Sequence, residues 1–265
     1  MTLIRTSKYL LLVLVAAASA SVAAAQIAGR MSNSATVAEQ YLLAAANQER
    51  SARGLPLLHR DPRLAIAAAQ HAEQMAEHGG ISHQFPGEAE LTGRGANAGV
   101  SFSLICENVA EAPNAAQIHD MWMNSEHHRA NLLDPSIDSA GISVIARNGE
   151  FFAVEDFART VPSVSLGEQE SAIASLVVKQ APVALVKAPD VVSAARQTCT
   201  MPTGYAGSRK PWFVMRFTSA SLDQLPDELK SRLTSGRYHQ AAVGACANPD
   251  PSPFSSYTFA VLLYP

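Results

Sequence analysis

Apolar residues at helical spacing predict three helices in the first half of the chain. The first covers residues 35–53 and ends before a glycine and a proline. The second begins with Asp61 as its N-cap and Pro62 in its first turn, and it ends near His78. The third begins at Asn114 and continues past Trp122. Between the last two helices, residues 81–100 show neither a helical nor a strand pattern. We expect a long loop there, and loops of that length in a compact domain often carry function.

Alternating patterns predict strands farther along the chain. Residues 140–146 and 151–157 are joined by a turn with Asn148-Gly149, a strong hairpin signal. The C-terminal region is predicted as a strand over 212–217, a helix over 225–233 and strands over 241–247 and 257–263. Its last hairpin weakly echoes the earlier one, because Val243-Gly244 is similar to Ala140-Gly141 and Phe-Ala-Val follows in both.

The chain is predicted to have four parts outside its central region. Residues 1–25 have the basic start, apolar core and A-x-A ending of a secretory signal peptide, with cleavage after Ala25. A retained membrane anchor is the alternative, although the apolar core is shorter than a spanning helix needs. Residues 26–35 are predicted to be a flexible leader, residues 161–195 a linker, and residues 196–265 a small strand-helix-hairpin unit. The mature chain therefore has no predicted transmembrane segment, and secretion and periplasmic export both remain open.

Charge and cysteine content narrow the classes of function. The formal net charge is −3 without clusters of Lys and Arg, which excludes a nucleic-acid footprint. Three cysteines in an exported chain imply one disulfide and one thiol left over. We favour Cys199–Cys246, since both lie in the C-terminal region, and Cys106 is then a buried apolar residue or a free thiol.

Four short segments of the central region together resemble a known family. They are Gln70–Ala76, the Ile-Ser-His ending at His83, the Cys-Glu-Asn-Val-Ala around Glu107, and the string from Trp122 to Leu133 that reads W-x-x-S-x-x-H-R-x-N-x-L. Their order and spacing resemble the CAP superfamily of cysteine-rich secretory, antigen 5 and pathogenesis-related-1 proteins, in its bacterial branch. The resemblance implies that residues 36–160 are one CAP (SCP-like) domain. It also implies an α+β fold, a three-layer α–β–α sandwich, to which the C-terminal region adds a small α/β appendage.

The resemblance also implies a cleft and its side chains. In the family, two histidines and two glutamates line the cleft and hold a divalent metal, often zinc. His83, Glu107 and His128 match three of these positions, whereas Ser125 stands at the spacing of the second glutamate. A binding cleft of His83, Glu107, His128 and Ser125 is therefore expected, with His83 and His128 as candidate ligands for zinc or another divalent cation, although no cofactor is required.

Two functions follow from this reading. The first is an exported binding module for a lipid, sterol-like or peptide ligand, which is not an enzyme. The alternative is a zinc-dependent protease or esterase with Glu107 as general base. Cys106 paired with a histidine would also form a catalytic dyad, but a packed thiol is the favoured interpretation. We favour binding, because the second glutamate is missing and no cap is expected over the cleft. The oligomeric state stays open.

Overall fold

The computed structural model describes residues 35–247 and 252–265, which form two units with one four-stranded sheet each. The predicted signal peptide and most of the predicted leader lie outside the described residues. No helix of the described part is long and apolar enough to cross a membrane.

The first unit places helices on both faces of its sheet. Its elements are α1 (Val37–Ser51), β1 (His59–Arg60), α2 (Pro62–His78), α3 (Leu91–Asn97), β2 (Phe102–Ala112), α4 (Ala115–Asn124), α5 (Glu126–Leu132), β3 (Ser139–Arg147) and β4 (Glu150–Thr160). The strand order is β1-β3-β4-β2, with β2–β4 and β3–β4 antiparallel and β1–β3 parallel. Strand β2 is therefore an edge strand.

Two apolar layers hold this unit together. Leu42 of α1 and Trp122 of α4 are buried against one face of the sheet, with Ala110 and Ile142. On the opposite face, Met75 of α2 packs with Val109 and Val154 in a separate cluster. Helices thus cover both faces, which confirms the predicted α–β–α sandwich.

The confirmed elements are those with local start and stop signals. Thr36 and Glu39 form a reciprocal capping box at α1, and the Asp61 side chain accepts from two backbone amides at the start of α2. Gly79 ends α2 in the left-handed conformation at φ 66°. In the β3–β4 hairpin, Asn148 and Gly149 have φ of 54° and 87°, as a type I′ turn requires.

The region expected to be one loop contains a helix and leads into a long strand. Helix α3 lies inside the segment 81–100, and β2 follows it over eleven residues that were not predicted as a strand. The sequence of β2 does not alternate between apolar and polar residues, because its central part from Glu107 to Ala110 is buried on both faces of the sheet.

The predicted linker over residues 161–195 is corrected by the structure. Residues Leu166–Gln180 form α6, which begins with a Ser165–Glu168 capping box. Ile173 and Val177, one helical turn apart, are fully buried in the core of the second unit. Pro162 and Pro182 lie just outside the helix, so they bound it instead of breaking it.

The C-terminal appendage is accordingly larger than predicted. After α6 it contains β5 (Ala184–Leu185), α7 (Pro189–Cys199), β6 (Phe213–Ser219), α8 (Asp227–Leu233), β7 (Gln240–Cys246) and β8 (Tyr257–Tyr264). The predicted Cys199–Cys246 disulfide is confirmed and joins the end of α7 to the end of β7.

The second sheet repeats the connectivity of the first. Its order is β5-β7-β8-β6, with the same parallel and antiparallel pairings at corresponding positions. Gly141 in β3 lies directly against the backbone of α2, and Gly244 in β7 lies in the same way against α7. A side chain would overlap the helix at either position. The glycine part of the suggested echo between the two hairpins therefore marks equivalent positions.

The two units are in contact. The ring of Phe254, just before β8, meets Phe102 of β2 edge to face with centroids 5.5 Å apart. The backbone amide of Ser255 donates to the Phe102 carbonyl at 2.7 Å. The second unit therefore packs on the start of the strand that carries Glu107.

Candidate functional site

The site is centred on the carboxylate of Glu107. Its side chain is only 2% exposed, and Oε1 lies 2.8 Å from Nδ1 of His83, whose own side chain is 63% exposed. His83 comes from the loop after α2, so the loop and the edge strand β2 meet at this pair. His83 and Glu107, which were both expected to line the binding cleft, are thus in contact.

The second oxygen of Glu107 is bound by an arginine that the sequence reading did not select. Oε2 accepts a hydrogen bond from Arg94 of α3, and the arginine side chain is 3% exposed. Arg94 also donates to the carbonyls of His83 and Ala89, each at 3.2 Å. Arg94 is the only Lys or Arg between Arg63 and Arg129, and an isolated cation in an acidic segment is the signal that could have identified it.

His71 anchors the same loop from below. It is fully buried, with Nδ1 2.8 Å from a Glu88 carboxylate oxygen and Nε2 2.7 Å from the Ser82 carbonyl. The Ser82 carbonyl can only accept, so Nε2 of His71 donates to it. Glu88 in turn accepts from the backbone amide of Phe85 at 3.0 Å. The loop that positions His83 is therefore held by a buried network.

A buried aspartate completes the floor of the site. Asp156 of β4 lies opposite Glu107 in the strand register and is fully buried. Burial, followed by the neighbouring charge of Glu107, raises the pKa of Asp156 well above its ordinary value. The neutral form of Asp156 is therefore favoured more than that of an exposed aspartate, directly beside the Arg94–Glu107 pair.

Helix α5 is tied to the site through two asparagines. Asn131 donates to the Glu107 carbonyl at 3.1 Å and to the Asn108 side chain at 3.0 Å. Asn108 donates to the carbonyl of His128 at 3.0 Å. Partial burial, with a smaller contribution from His83, lowers the pKa of His128. Two asparagines thus link the backbone at His128 to the backbone at Glu107.

Ser125, the fourth expected residue, lines a different concavity. A groove of about 900 Å³ runs between α4 and the end of β2 and includes Ser125 but neither His83 nor Glu107. Those two line a smaller pocket of about 330 Å³. The expected single cleft is thus two neighbouring depressions.

The residues present do not fit a divalent metal. Within residues 35–247 and 252–265, no group of three or more His, Cys, Asp or Glu side chains is arranged to hold one. Glu107 is bound to a guanidinium at one oxygen and to His83 at the other. Binding of zinc or another divalent cation by His83 and His128 stays a prediction.

Cys106 lies on the opposite face of the sheet from Glu107, because neighbouring residues in a strand alternate. It packs against a buried cluster with Leu132 and Phe157. Burial is the main cause that raises the pKa of its thiol to about 12. Cys106 is therefore a packed thiol and not an activated nucleophile.

Comparison with known proteins identifies the class to which the first unit belongs. Residues 43–157 match the family model described as CAP, the cysteine-rich secretory protein family. With the α–β–α sandwich and the His83–Glu107 pair, this match makes the first unit a CAP domain.

Three of the similar proteins come from bacteria. An uncharacterized protein, YkwD, of Bacillus subtilis is 27% identical over 114 residues, which are 43% of this chain and 44% of that protein. A solved extracellular protein with an SCP domain from Bacillus anthracis is 31% identical, with a TM-score of 0.43, over 46% of this chain and 40% of that one. A cysteine-rich secretory protein from Staphylococcus aureus is 23% identical, with a TM-score of 0.39, over 46% of this chain and 39% of its own. The matches thus span less than half of each relative.

Proposed function

We propose that this chain is an exported CAP-domain binding protein whose cleft takes a ligand without metal-dependent hydrolysis. The observation that carries the proposal is that both carboxylate oxygens of Glu107 already have a partner. Its buried carboxylate already bonds to Arg94 at one oxygen and to His83 at the other. The hydrolase alternative, in which Glu107 is the general base, needs this carboxylate free to accept a proton from water.

The surface beside this pair supplies what a binding module needs. Ligand sites are concave, with apolar walls and a few polar groups that fix orientation. The groove next to the site has both. The exposed side chains of Ile81 and Met121 form apolar wall, and side-chain amides and carboxylates supply the polar groups. A lipid, a sterol-like molecule and a peptide are the ligand classes considered.

The test uses the chain from Gln26 onward and three fluorescent probes: a fatty acid, a sterol and a short peptide that alternates lysine and leucine. Binding is measured by fluorescence anisotropy for the wild type and for Met121→Arg, which places a bulky charge in the groove. Val178→Arg is the matched control, because Val178 is 46% exposed on the second unit and Met121 is 47% exposed. Binding of at least one probe that is lost only in Met121→Arg supports the proposal.

Zinc calorimetry and hydrolysis of ester and peptide substrates test the hydrolase alternative. We expect no tight stoichiometric zinc binding and no zinc-dependent turnover. Tight zinc binding that is lost in His83→Ala/His128→Ala, together with turnover, would overturn the proposal. Export is checked separately, by N-terminal sequencing of the chain recovered outside the cytoplasm, which we expect to begin at Gln26.

A further inference from the structure

One wall of the groove is an exposed face of α4. Gln117, Asp120, Met121 and Asn124 line it, and their spacing of three and four residues places them on one side of the helix. The opposite wall is the end of the edge strand β2, with Glu111. The groove is therefore bounded by a helix on one side and a strand end on the other, a shape that suits an extended segment of chain.

Three carboxylates and no basic side chain line the groove. They belong to Glu111, Asp120 and Glu150, and none of them forms an ion pair with a residue of the described ranges. Arg147 opposes Glu150 across the β3–β4 hairpin but does not line the groove. The groove thus presents negative charge that the protein itself leaves uncompensated.

The charge of the whole domain has the same sign. Residues 36–160 contain eight arginines and no lysine against sixteen aspartates and glutamates. Residues 161–265 contain nine basic and seven acidic residues. The excess of negative charge therefore belongs to the CAP domain alone, and it favours the approach of cationic partners.

The remaining lining residues favour a peptide over a simple cation or a lipid. Gln117 and Asn124 carry side-chain amides without a hydrogen-bond partner among the described residues, and amides match the donors and acceptors of a peptide backbone. Ile81 and Met121 are 52% and 47% exposed and offer apolar contact. A lipid would leave the amides and carboxylates unsatisfied.

From these features we propose that the groove binds a basic, partly apolar peptide segment of another protein. Its Lys or Arg side chains pair with Glu111, Asp120 and Glu150, and its apolar side chains contact Ile81 and Met121. This inference rests on the proposed binding function and names the class of ligand for that site.

The test compares two double variants with the same change in net charge. Glu111→Gln/Glu150→Gln removes two groove carboxylates, and Glu73→Gln/Glu77→Gln removes two exposed ones on α2. The probes are the lysine–leucine peptide and its glutamate–leucine counterpart. We expect the lysine peptide to bind the wild type less tightly as salt rises. The groove variant should weaken binding about fivefold or more, and the α2 variant should match the wild type.

Three results would overturn the inference. They are equal binding of the glutamate peptide, unchanged affinity in the groove variant, and displacement of the peptide by spermine as effective as by unlabelled peptide. If the fatty acid or sterol probe binds in a way that depends on Met121 and the lysine peptide does not, the inference fails and the binding function stands. If no probe binds in a way that depends on Met121, both the inference and the proposed binding function fail.

Discussion

Replacement of Arg94 by alanine should destabilise the CAP domain far more than loss of a surface arginine does. The variant leaves the Glu107 carboxylate, 2% exposed, without its guanidinium partner. It also removes the donors to the carbonyls of His83 and Ala89. Breaking a buried ion pair from one side costs about 3–5 kcal/mol, because an uncompensated charge stays in the interior.

Two further variants separate charge from packing. Arg53→Ala removes an ion pair with Glu49 whose side chains are 43% and 32% exposed, and its cost should be below about 1 kcal/mol. Arg94→Ala/Glu107→Gln removes the stranded charge, so it should recover roughly 2 kcal/mol of the single-variant loss.

Urea unfolding followed by tryptophan fluorescence measures these differences. The chain has two tryptophans, Trp122 in the core of the CAP domain and Trp212, which is 60% exposed in the second unit. In a Trp212→Phe background the signal therefore reports the CAP domain. If Arg94→Ala costs no more than Arg53→Ala, the buried pair does not stabilise the site and the argument from Glu107 fails.

Three other predictions concern buried groups. Burial raises the pKa of Glu155 from 4.5 to about 8, so the folded state holds a proton that the unfolded state releases, and stability falls as pH rises from about 4.5 to 8. The stability gain from Glu155→Gln, measured by urea unfolding, should therefore be a few kcal/mol larger at pH 8 than at pH 5. Equal gains at the two pH values would contradict this. The added methyl group in Gly141→Ala overlaps the backbone of Leu64, so the free energy of unfolding in urea should fall by about 3 kcal/mol or more. Gly167→Ala is the control, because nothing lies within 4 Å of the added methyl group, and it should change stability by less than about 1 kcal/mol. Iodoacetamide at pH 8 should alkylate Cys106, the free thiol, roughly a hundredfold more slowly in the folded protein than in urea, and similar rates would show an accessible thiolate.

Elements with local signals could be predicted from the sequence, and elements that depend on distant contacts could not. Helices α1 and α2 and the β3–β4 hairpin carry their own caps and turn residues. Strand β2 shows no alternation, because helices bury both of its faces. Helix α6 lies in a stretch with prolines at both ends, and the burial of Ile173 and Val177 that marks its apolar side depends on a sheet formed later in the chain.

The candidate site shows the same limit. His83 and Glu107 could be selected from short motifs, and the structure places them in contact. Arg94 could not, because its role depends on how α3 folds back over β2, and no motif surrounds it. The partner that fixes the chemistry of the site thus came from the part of the sequence that reads as irregular.

The second unit shows why the fold alone does not define the function. In the first sheet, Gly141, Asp156 and Glu107 lie opposite one another across three strands. In the second sheet, Gly244, Ala260 and Arg216 occupy the corresponding positions.

Only the glycine is retained, because both sheets need it where a helix backbone packs directly on a strand. The two carboxyl groups are replaced by a methyl group and a guanidinium. Arg216 donates to the Thr198 carbonyl at 2.8 Å and to the Gly204 carbonyl at 2.5 Å, so it holds the segment after α7 and needs no acidic partner. Helix α7 ends at Cys199, before the position that would correspond to His71 of α2. The glycine preserves the architecture in both units, whereas the buried charges that build a cleft are present in the first alone.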